Sequence, residues 1–151
     1  MKKLDGYDLE SELKPEYVRF RFTSIGPKGS IEKIIEFTYI PTRPWNLGFG
    51  DVKDDDWEDD VISNNNDFRK ILQTVANAVH EFCDMHPNSE IAIIPLDYKR
   101  KLLYNRIFQQ RWNQIDPFFI VKAVDMSIEN PAFELYNPKR MFDFFVIMRK
   151  S

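Results

Sequence analysis

The sequence predicts a single α+β domain over residues 1–151, in which an antiparallel or mixed sheet of about six strands packs against two main helices. Apolar residues first alternate with charged ones, as in half-buried strands, and then recur every three or four residues, as on one face of a helix. The size agrees, because 151 residues with 43% hydrophobic and 15% aromatic content suffice for one packed core and are too few for two ordinary domains. The predicted order of elements is β-β-β-α-β-α-β-β.

The first three strands are predicted between residues 17 and 50. One face of the first two strands is apolar, with Val18, Phe20 and Phe22 followed by Ile31, Ile35, Phe37 and Tyr39. Gly26 to Gly29 supply the turn of this hairpin. A third strand follows with three alternating apolar residues, Trp45, Leu47 and Phe49. Residues 1–16 show no period, and we expect them to form an arm that docks through Leu9 and Leu13.

A long amphipathic helix is predicted after a polar turn. Its apolar stripe comprises Phe68, Ile71, Leu72, Val75, Val79 and Phe82. Asn66 is a suitable N-cap, and Asp67 in the first turn suits the positive end of the helix dipole. Asn77 falls among the polar residues on the rest of the helix. Cys83 is expected to be a small buried or half-buried hydrophobe.

The second half of the chain alternates short apolar strands with a second helix. Strands are predicted at residues 91–94, 118–124 and 141–148, and Asp97 can cap a helix over residues 98–114. This helix carries five basic side chains and no acidic one: Lys99, Arg100, Lys101, Arg106 and Arg111. Such a helix either attracts anions or balances an acidic surface elsewhere in the protein.

An acidic run, DVKDDDWEDD, occupies residues 51–60. Its carboxylates could hold a hard cation, meet a basic partner or be solvated, and the absence of EF-hand spacing favours a solvated loop. His80, Cys83 and His86 lie three residues apart, but no fourth ligand accompanies them. We therefore expect no metal site.

Charge and hydropathy argue against several classes of protein. Twenty-one basic and 24 acidic side chains give a net charge of −3, so nothing in the total favours nucleic acid or an anionic membrane as a partner. The charged start of the chain is unlike a signal peptide, and no apolar stretch approaches the length of a membrane span. We therefore expect a soluble cytoplasmic protein.

The predicted order of elements resembles the later two-thirds of the GNAT acetyltransferase fold. In that fold three antiparallel strands lead to a cofactor-binding helix, a central strand, a second helix and two last strands. Family members often carry Asn at the start of the second helix and a Leu-Tyr pair seven residues on, and Asp97 and Leu103-Tyr104 take these places. The resemblance implies that Tyr104 acts as general acid towards the thiolate of coenzyme A. The family's phosphate-binding glycines are missing from residues 64–69, which favours ligand binding over acetyl transfer.

Residues 45–149 are also similar to a family of small bacterial proteins of unknown function. The shared landmarks are residues 46–51 (NLGFGD), residues 63–70 (SNNNDFRK), and Arg100 with residues 103–106 (LYNR). The resemblance implies no activity. It does imply that function resides at the turns before the two helices, which we expect to lie near each other where the central strand ends.

Two functions are consistent with these features. The first is binding of a phosphorylated small molecule, such as coenzyme A or a nucleotide, at the two turns. The candidate ligand-binding residues are Asn64, Asn65, Asn66, Asp97, Arg100 and Arg106, and the candidate catalytic residue is Tyr104. The alternative is a non-catalytic interaction or regulatory module that binds a protein partner or forms a homodimer. It would use aromatic surface around Trp45, Trp57 and Trp112, with the acidic run as an electrostatic guide. Nucleic-acid binding through the basic helix is a weaker, third hypothesis.

Overall fold

The computed structural model describes residues 3–53, 56–58 and 67–151. The chain divides into two compact units, Met1–Pro87 and Asn88–Ser151. Both units combine strands with helices, which confirms the predicted α+β class. The described residues form nine strands, so the prediction of about six strands was too low. They also form the two predicted main helices and a third helix of four residues.

The first unit is an antiparallel sheet with one helix. Its elements are β1 (Glu10–Leu13), β2 (Tyr17–Gly26), β3 (Gly29–Thr38), β4 (Trp45–Lys53), β5 (Asp56–Glu58) and α1 (Phe68–Met85). The strands are hydrogen-bonded in the order β1-β2-β3-β4, and β5 pairs with β4. The predicted β2–β3 hairpin is confirmed. Gly26 pairs with Gly29, whose φ of 86° glycine adopts without strain.

Aromatic rings join the sheet of the first unit to α1. Phe37 of β3 stacks on Phe82 of α1 with 4.2 Å between ring centroids, and both residues are fully buried. Trp45 lies edge-on to Phe82 at 5.0 Å and also contacts His86. Burying each such phenylalanine contributes about 1.5–3 kcal/mol, so these rings fix the second half of α1 on the sheet.

The acidic run does not begin as a solvated loop. β4 continues through Lys53, and β5 pairs with it, which contradicts the predicted loop for these residues. Asp51 pairs in register with Lys33 of β3, and their side chains form a buried ion pair. A buried charge is tolerated when it is paired, so Lys33 holds Asp51 within the sheet. Residues 54, 55, 59 and 60 of the run lie outside the described residues.

The second unit contains antiparallel strands and two helices. Its elements are β6 (Glu90–Ile93), α2 (Tyr98–Gln110), α3 (Trp112–Ile115), β7 (Phe119–Val124), β8 (Glu134–Leu135) and β9 (Phe144–Arg149). Within this unit the order of strands is β6-β9-β7-β8. Phe108 of α2 stacks on Phe145 of the central strand β9 at 4.3 Å, which fixes α2 on the sheet.

Two predicted boundaries in the second unit were wrong by three or more residues. β9 begins at Phe144 rather than at residue 141, because both backbone groups of Phe142 bond to the side chain of Asn105. The predicted second helix stops at Gln110. Arg111 leaves helical geometry with φ −110° and ψ 15°, and the four-residue α3 follows.

Candidate functional site

The N-terminal arm docks on α1 through its main chain. Asn77 Oδ1 accepts from the N–H of Leu4, and Asn77 Nδ2 donates to the carbonyl of Leu4, both at 2.8 Å. Thr74 Oγ1 accepts from the N–H of Tyr7 at 2.8 Å. These three bonds satisfy arm groups that no strand pairing reaches, so two polar side chains of α1 hold the arm in place.

Gly6 lets the arm lie directly against the helix. A Cβ at this position would come within 2.7 Å of Thr74 Oγ1 and 3.0 Å of Thr74 N. Thr74 is fully buried, and its hydroxyl also donates to the carbonyl of Lys70 at 2.8 Å. Docking therefore depends on Gly6 and the neighbouring backbone. The predicted docking through Leu9 and Leu13 was wrong at Leu13, which is exposed on the edge strand β1.

Tyr7 brings the arm, the sheet and the helix start together. Its ring stacks on Phe22 of β2 at 5.6 Å, and the Lys70 ammonium lies 4.3 Å from the ring centroid. Its hydroxyl donates to Asp67 Oδ2 at 2.7 Å and accepts from the N–H of Ile25 at 3.1 Å. Burial, followed by the hydrogen bond to Asp67, raises the pKa of Tyr7. The phenol therefore stays protonated and donates at neutral pH.

Asp67 is the N-cap of α1, one residue after the predicted cap. Its carbonyl accepts from the N–H of Ile71 at 2.9 Å, but its side chain makes no capping bond. Oδ2 instead accepts from Tyr7 and from the hydroxyl of the fully buried Ser24. Oδ1 is buried without a hydrogen-bond partner among the described residues. The carboxylate is thus held away from the helix N–H groups, and one of its oxygens needs a donor.

A cavity of about 800 Å³ lies beside this helix start. Its described lining consists of Asp5, Tyr7, Ile25, Asp67, Arg69, Lys70 and Gln73. Arg69 is exposed and has no ion-pair partner among the described residues. Among the described lining residues, two cationic side chains therefore accompany two carboxylates, at the end of α1 where the helix dipole favours an anion.

The predicted ligand-binding turn adjoins this cavity in sequence. Asn64, Asn65 and Asn66 lie outside the described residues. The described part of the chain resumes at Asp67, which lines the cavity together with Arg69.

The predicted residues of the second unit differ in their surroundings. Asp97 is confirmed as the N-cap of α2, because its Oδ1 accepts from the N–H of Arg100 at 2.9 Å. The Arg100 guanidinium also pairs with the other carboxylate oxygen of Asp97. The structure thus brings these two residues together in a cap. Tyr104 is half-buried, and Arg106 is exposed.

Two of the three tryptophans of the predicted aromatic surface are half-buried. Trp45 is half-buried against Phe82, and Trp112 is half-buried against Tyr136, with 4.7 Å between ring centroids. The side chain of Trp57 lies outside what the structure describes. These rings stabilise packing, so they offer only part of their surface to a partner.

Most of the side chains that build the cavity and hold the arm could not be found by sequence reasoning. Tyr7 lies in an arm without a period, and Ser24 lies on the apolar face of β2. The helical period predicts Asn77 on the polar side of α1, yet it and Thr74 are buried where they bond the arm. The one available signal was Gly6, the only glycine in the arm, since glycine permits close backbone approach.

Chemistry-bearing clusters of other kinds are sparse. Within residues 3–53, 56–58 and 67–151, no three His, Cys, Asp or Glu side chains are grouped as metal ligands would be. Cys83 is buried in α1, as predicted. No helix in the described part of the chain is long and apolar enough to cross a membrane.

Residues 3–150 match the model of a family described as "Family of unknown function (DUF6934)". The chain belongs to this family. The match to the DUF6934 family includes residues 3–16 of the arm, α1 and every described residue of the cavity. No curated protein and no solved structure matches the chain. Membership assigns no activity, so the function has to be argued from the site itself.

Proposed function

We propose that this member of the DUF6934 family binds a phosphorylated small molecule beside the start of α1. The observation that carries the proposal is the cavity of about 800 Å³ whose lining includes Arg69 and Lys70 at the helix N-terminus. Its volume falls within the range of about 300–1,000 Å³ that is usual for small-molecule sites. Coenzyme A and nucleotides belong to this class of ligand.

The helix start suits a phosphate group. The first N–H groups of an α-helix have no partner within the helix and carry a partial positive charge. The Asp67 side chain makes no bond to them, because Tyr7 and Ser24 hold its carboxylate. Arg69 is exposed beside them and can add charge-assisted hydrogen bonds. A phosphate therefore meets donors without displacing a side-chain cap.

The acidic part of the lining suits a second group on the same ligand. Asp67 Oδ1 is buried without a partner among the described residues, and a hydroxyl or amino group would supply the missing donor. Asp5 adds a second carboxylate to the lining. We therefore favour a ligand with hydroxyl groups beside its phosphate, as in the ribose of a nucleotide or of coenzyme A.

A thermal-shift panel with acetyl-CoA, coenzyme A, common nucleotides and inorganic phosphate tests this proposal. A ligand at ten times its Kd stabilises the folded state by about 1.4 kcal/mol. For a chain of this size that corresponds to a rise in Tm of about 3–6 °C. Absence of any shift near millimolar concentration would contradict the proposal.

Paired variants localise the site. The double substitution Arg69→Gln and Lys70→Gln should abolish the shift, because it removes both cations of the lining. The double substitution Arg43→Gln and Lys14→Gln removes the same charge from exposed positions outside the lining and should preserve the shift. Equal shifts in both double variants would place the ligand elsewhere.

A GNAT-like fold in a cytoplasmic protein is part of the same proposal. The order of the main elements, β2-β3-β4-α1-β6-α2-β7-β9, supports it. Tyr104 of α2 is the candidate general acid towards a thiolate. With water as the acceptor of the acetyl group, acetyl-CoA would be hydrolysed to acetate and free coenzyme A, whose thiolate takes a proton from Tyr104. Tyr104→Phe should reduce this release of coenzyme A, measured with a thiol reagent, and leave the thermal shift by acetyl-CoA unchanged. Equal release of coenzyme A by the wild type and Tyr104→Phe would rule out this role.

A further inference from the structure

The second unit has an exposed surface that combines large apolar residues with positive charge. We define the α2 surface as Ile94, Leu96, Tyr98, Leu102, Lys99 and Arg106. All six residues are exposed, and Leu96 and Tyr98 retain 73% and 69% of their accessible area. Single exposed apolar residues are ordinary, but here four large ones are exposed within nine positions of the sequence.

Helical spacing places the four members of the α2 surface that belong to the helix on one side of α2, and Ile94 and Leu96 lie in the segment that leads into it. Tyr98, Leu102 and Arg106 follow one another at intervals of four residues, so they form a stripe about 12 Å long. Lys99 precedes Leu102 by three residues and lies on the same side. Leu103 and Phe108 are the buried apolar residues of α2. The core therefore uses one side of the helix and leaves the side with Leu102 in solvent.

The charge on the α2 surface is positive. α2 contains no acidic residue, and its N-cap Asp97 is paired with Arg100. Lys99 and Arg106 have no ion-pair partner among the described residues. The whole chain has a net charge of −3, so this local excess is not a consequence of composition.

We propose that the α2 surface is a docking site for an acidic segment of a partner protein. Apolar side chains of that segment would cover Leu96, Tyr98 and Leu102, since burial of apolar surface supplies the binding free energy. Its carboxylates would face Lys99 and Arg106, which set orientation and exclude basic segments. Nucleic acid is disfavoured, because two cations neutralise few phosphates and the α2 surface is otherwise apolar.

A random peptide library displayed on phage and selected on the immobilised full-length protein tests this proposal. We expect the enriched peptides to carry net negative charge together with large apolar residues. A labelled synthetic copy should bind in solution, measured by fluorescence anisotropy. The affinity of the peptide should fall at least tenfold with Leu102→Ser and at least tenfold with Arg106→Glu. Its affinity for the wild-type protein should also fall when the salt concentration is raised to 0.5 M.

Matched exposed substitutions serve as controls. Leu13→Ser and Arg43→Glu change the same kinds of side chain in the first unit and should leave peptide binding unchanged. Circular dichroism establishes that all four variants are folded. The proposal is overturned by failure to enrich any peptide, by enrichment of neutral or basic peptides, or by binding that survives Leu102→Ser.

Other occupants of the surface have distinct signatures. Self-association in sedimentation experiments that disappears with Leu102→Ser would assign the surface to a second copy. Binding of a labelled oligonucleotide or of anionic vesicles that disappears with Arg106→Glu would assign it to those ligands. Each of these results would replace the acidic protein segment.

Discussion

Asn105 holds the connection between β7 and β9 onto α2, and its replacement by alanine should destabilise the second unit strongly. The residue is 2% exposed. Nδ2 donates to the carbonyls of Lys101 at 2.8 Å and Phe142 at 2.9 Å. Oδ1 accepts from the N–H of Phe142 at 2.9 Å. Asn105→Ala removes all of these bonds.

The size of the effect follows from the backbone groups left behind. Phe142 is fully buried, so its N–H and carbonyl lose their partner at a place that solvent does not reach. A buried polar group without a partner costs about 1–3 kcal/mol, so the two groups together cost about 2–6 kcal/mol. Water that enters the vacated space can bond to these groups and offset part of this cost, so we expect the free energy of unfolding to fall by about 3 kcal/mol.

Urea denaturation and native-state hydrogen exchange measure this loss. At about 1.4 kcal/mol per factor of ten, the amide of Phe142 should exchange roughly 100-fold faster in Asn105→Ala. Gln109→Ala, exposed on the same helix, is the control and should change stability by less than about 0.5 kcal/mol. If Asn105→Ala is no less stable than Gln109→Ala, the assignment of Asn105 as the link between helix and connection is wrong.

Three further predictions concern other positions. Gly6→Ala should lower the free energy of unfolding by about 1–3 kcal/mol and expose the arm to proteolysis, because the new Cβ would lie 2.7 Å from Thr74 Oγ1. Resistance to proteolysis equal to that of the wild type would refute the close contact. Tyr136→Phe should leave urea stability within about 0.5 kcal/mol, since its buried hydroxyl has no partner among the described residues. Burial raises the pKa of Tyr136 to about 12, which absorbance titration can check. The hydrogen bond from Lys101 lowers the pKa of Asp143 in the folded protein. The stabilisation that Asp143 contributes is therefore complete above its unfolded pKa, near 4, and disappears as pH falls through the lower folded value. In Lys101→Met the free energy of unfolding should depend less steeply on pH below about pH 4.

The long elements could be predicted because their apolar residues repeat over many positions. β2 and β3 have ten residues each and α1 has 18, long enough for periods of about 2.0 and 3.6 residues to be distinct. β1 and β8, with four and two residues, are too short to show a period. They form because a longer neighbour offers unpaired backbone groups.

The cavity could not be predicted in this way. The sequence pointed to the turn at residues 64–67 before α1, and Asp67 does line the cavity. Arg69 and Lys70, which also line it, were predicted only as polar residues of the helix. Tyr7 was missed because it is 60 residues from Asp67, with which it bonds. Nothing in the local pattern at either position indicates the other.

The sequence by itself determined the fold class, the order of the main elements, the hairpin turn at Gly29 and the cap at Asp97. Each of these depends on neighbours a few residues away, through the periodicity of burial, backbone freedom or a local side-chain bond. Only the tertiary structure decided which polar side chains are buried. Asn77 bonds a residue 73 positions away and Asn105 one 37 positions away, so their surroundings exist only once the chain has folded.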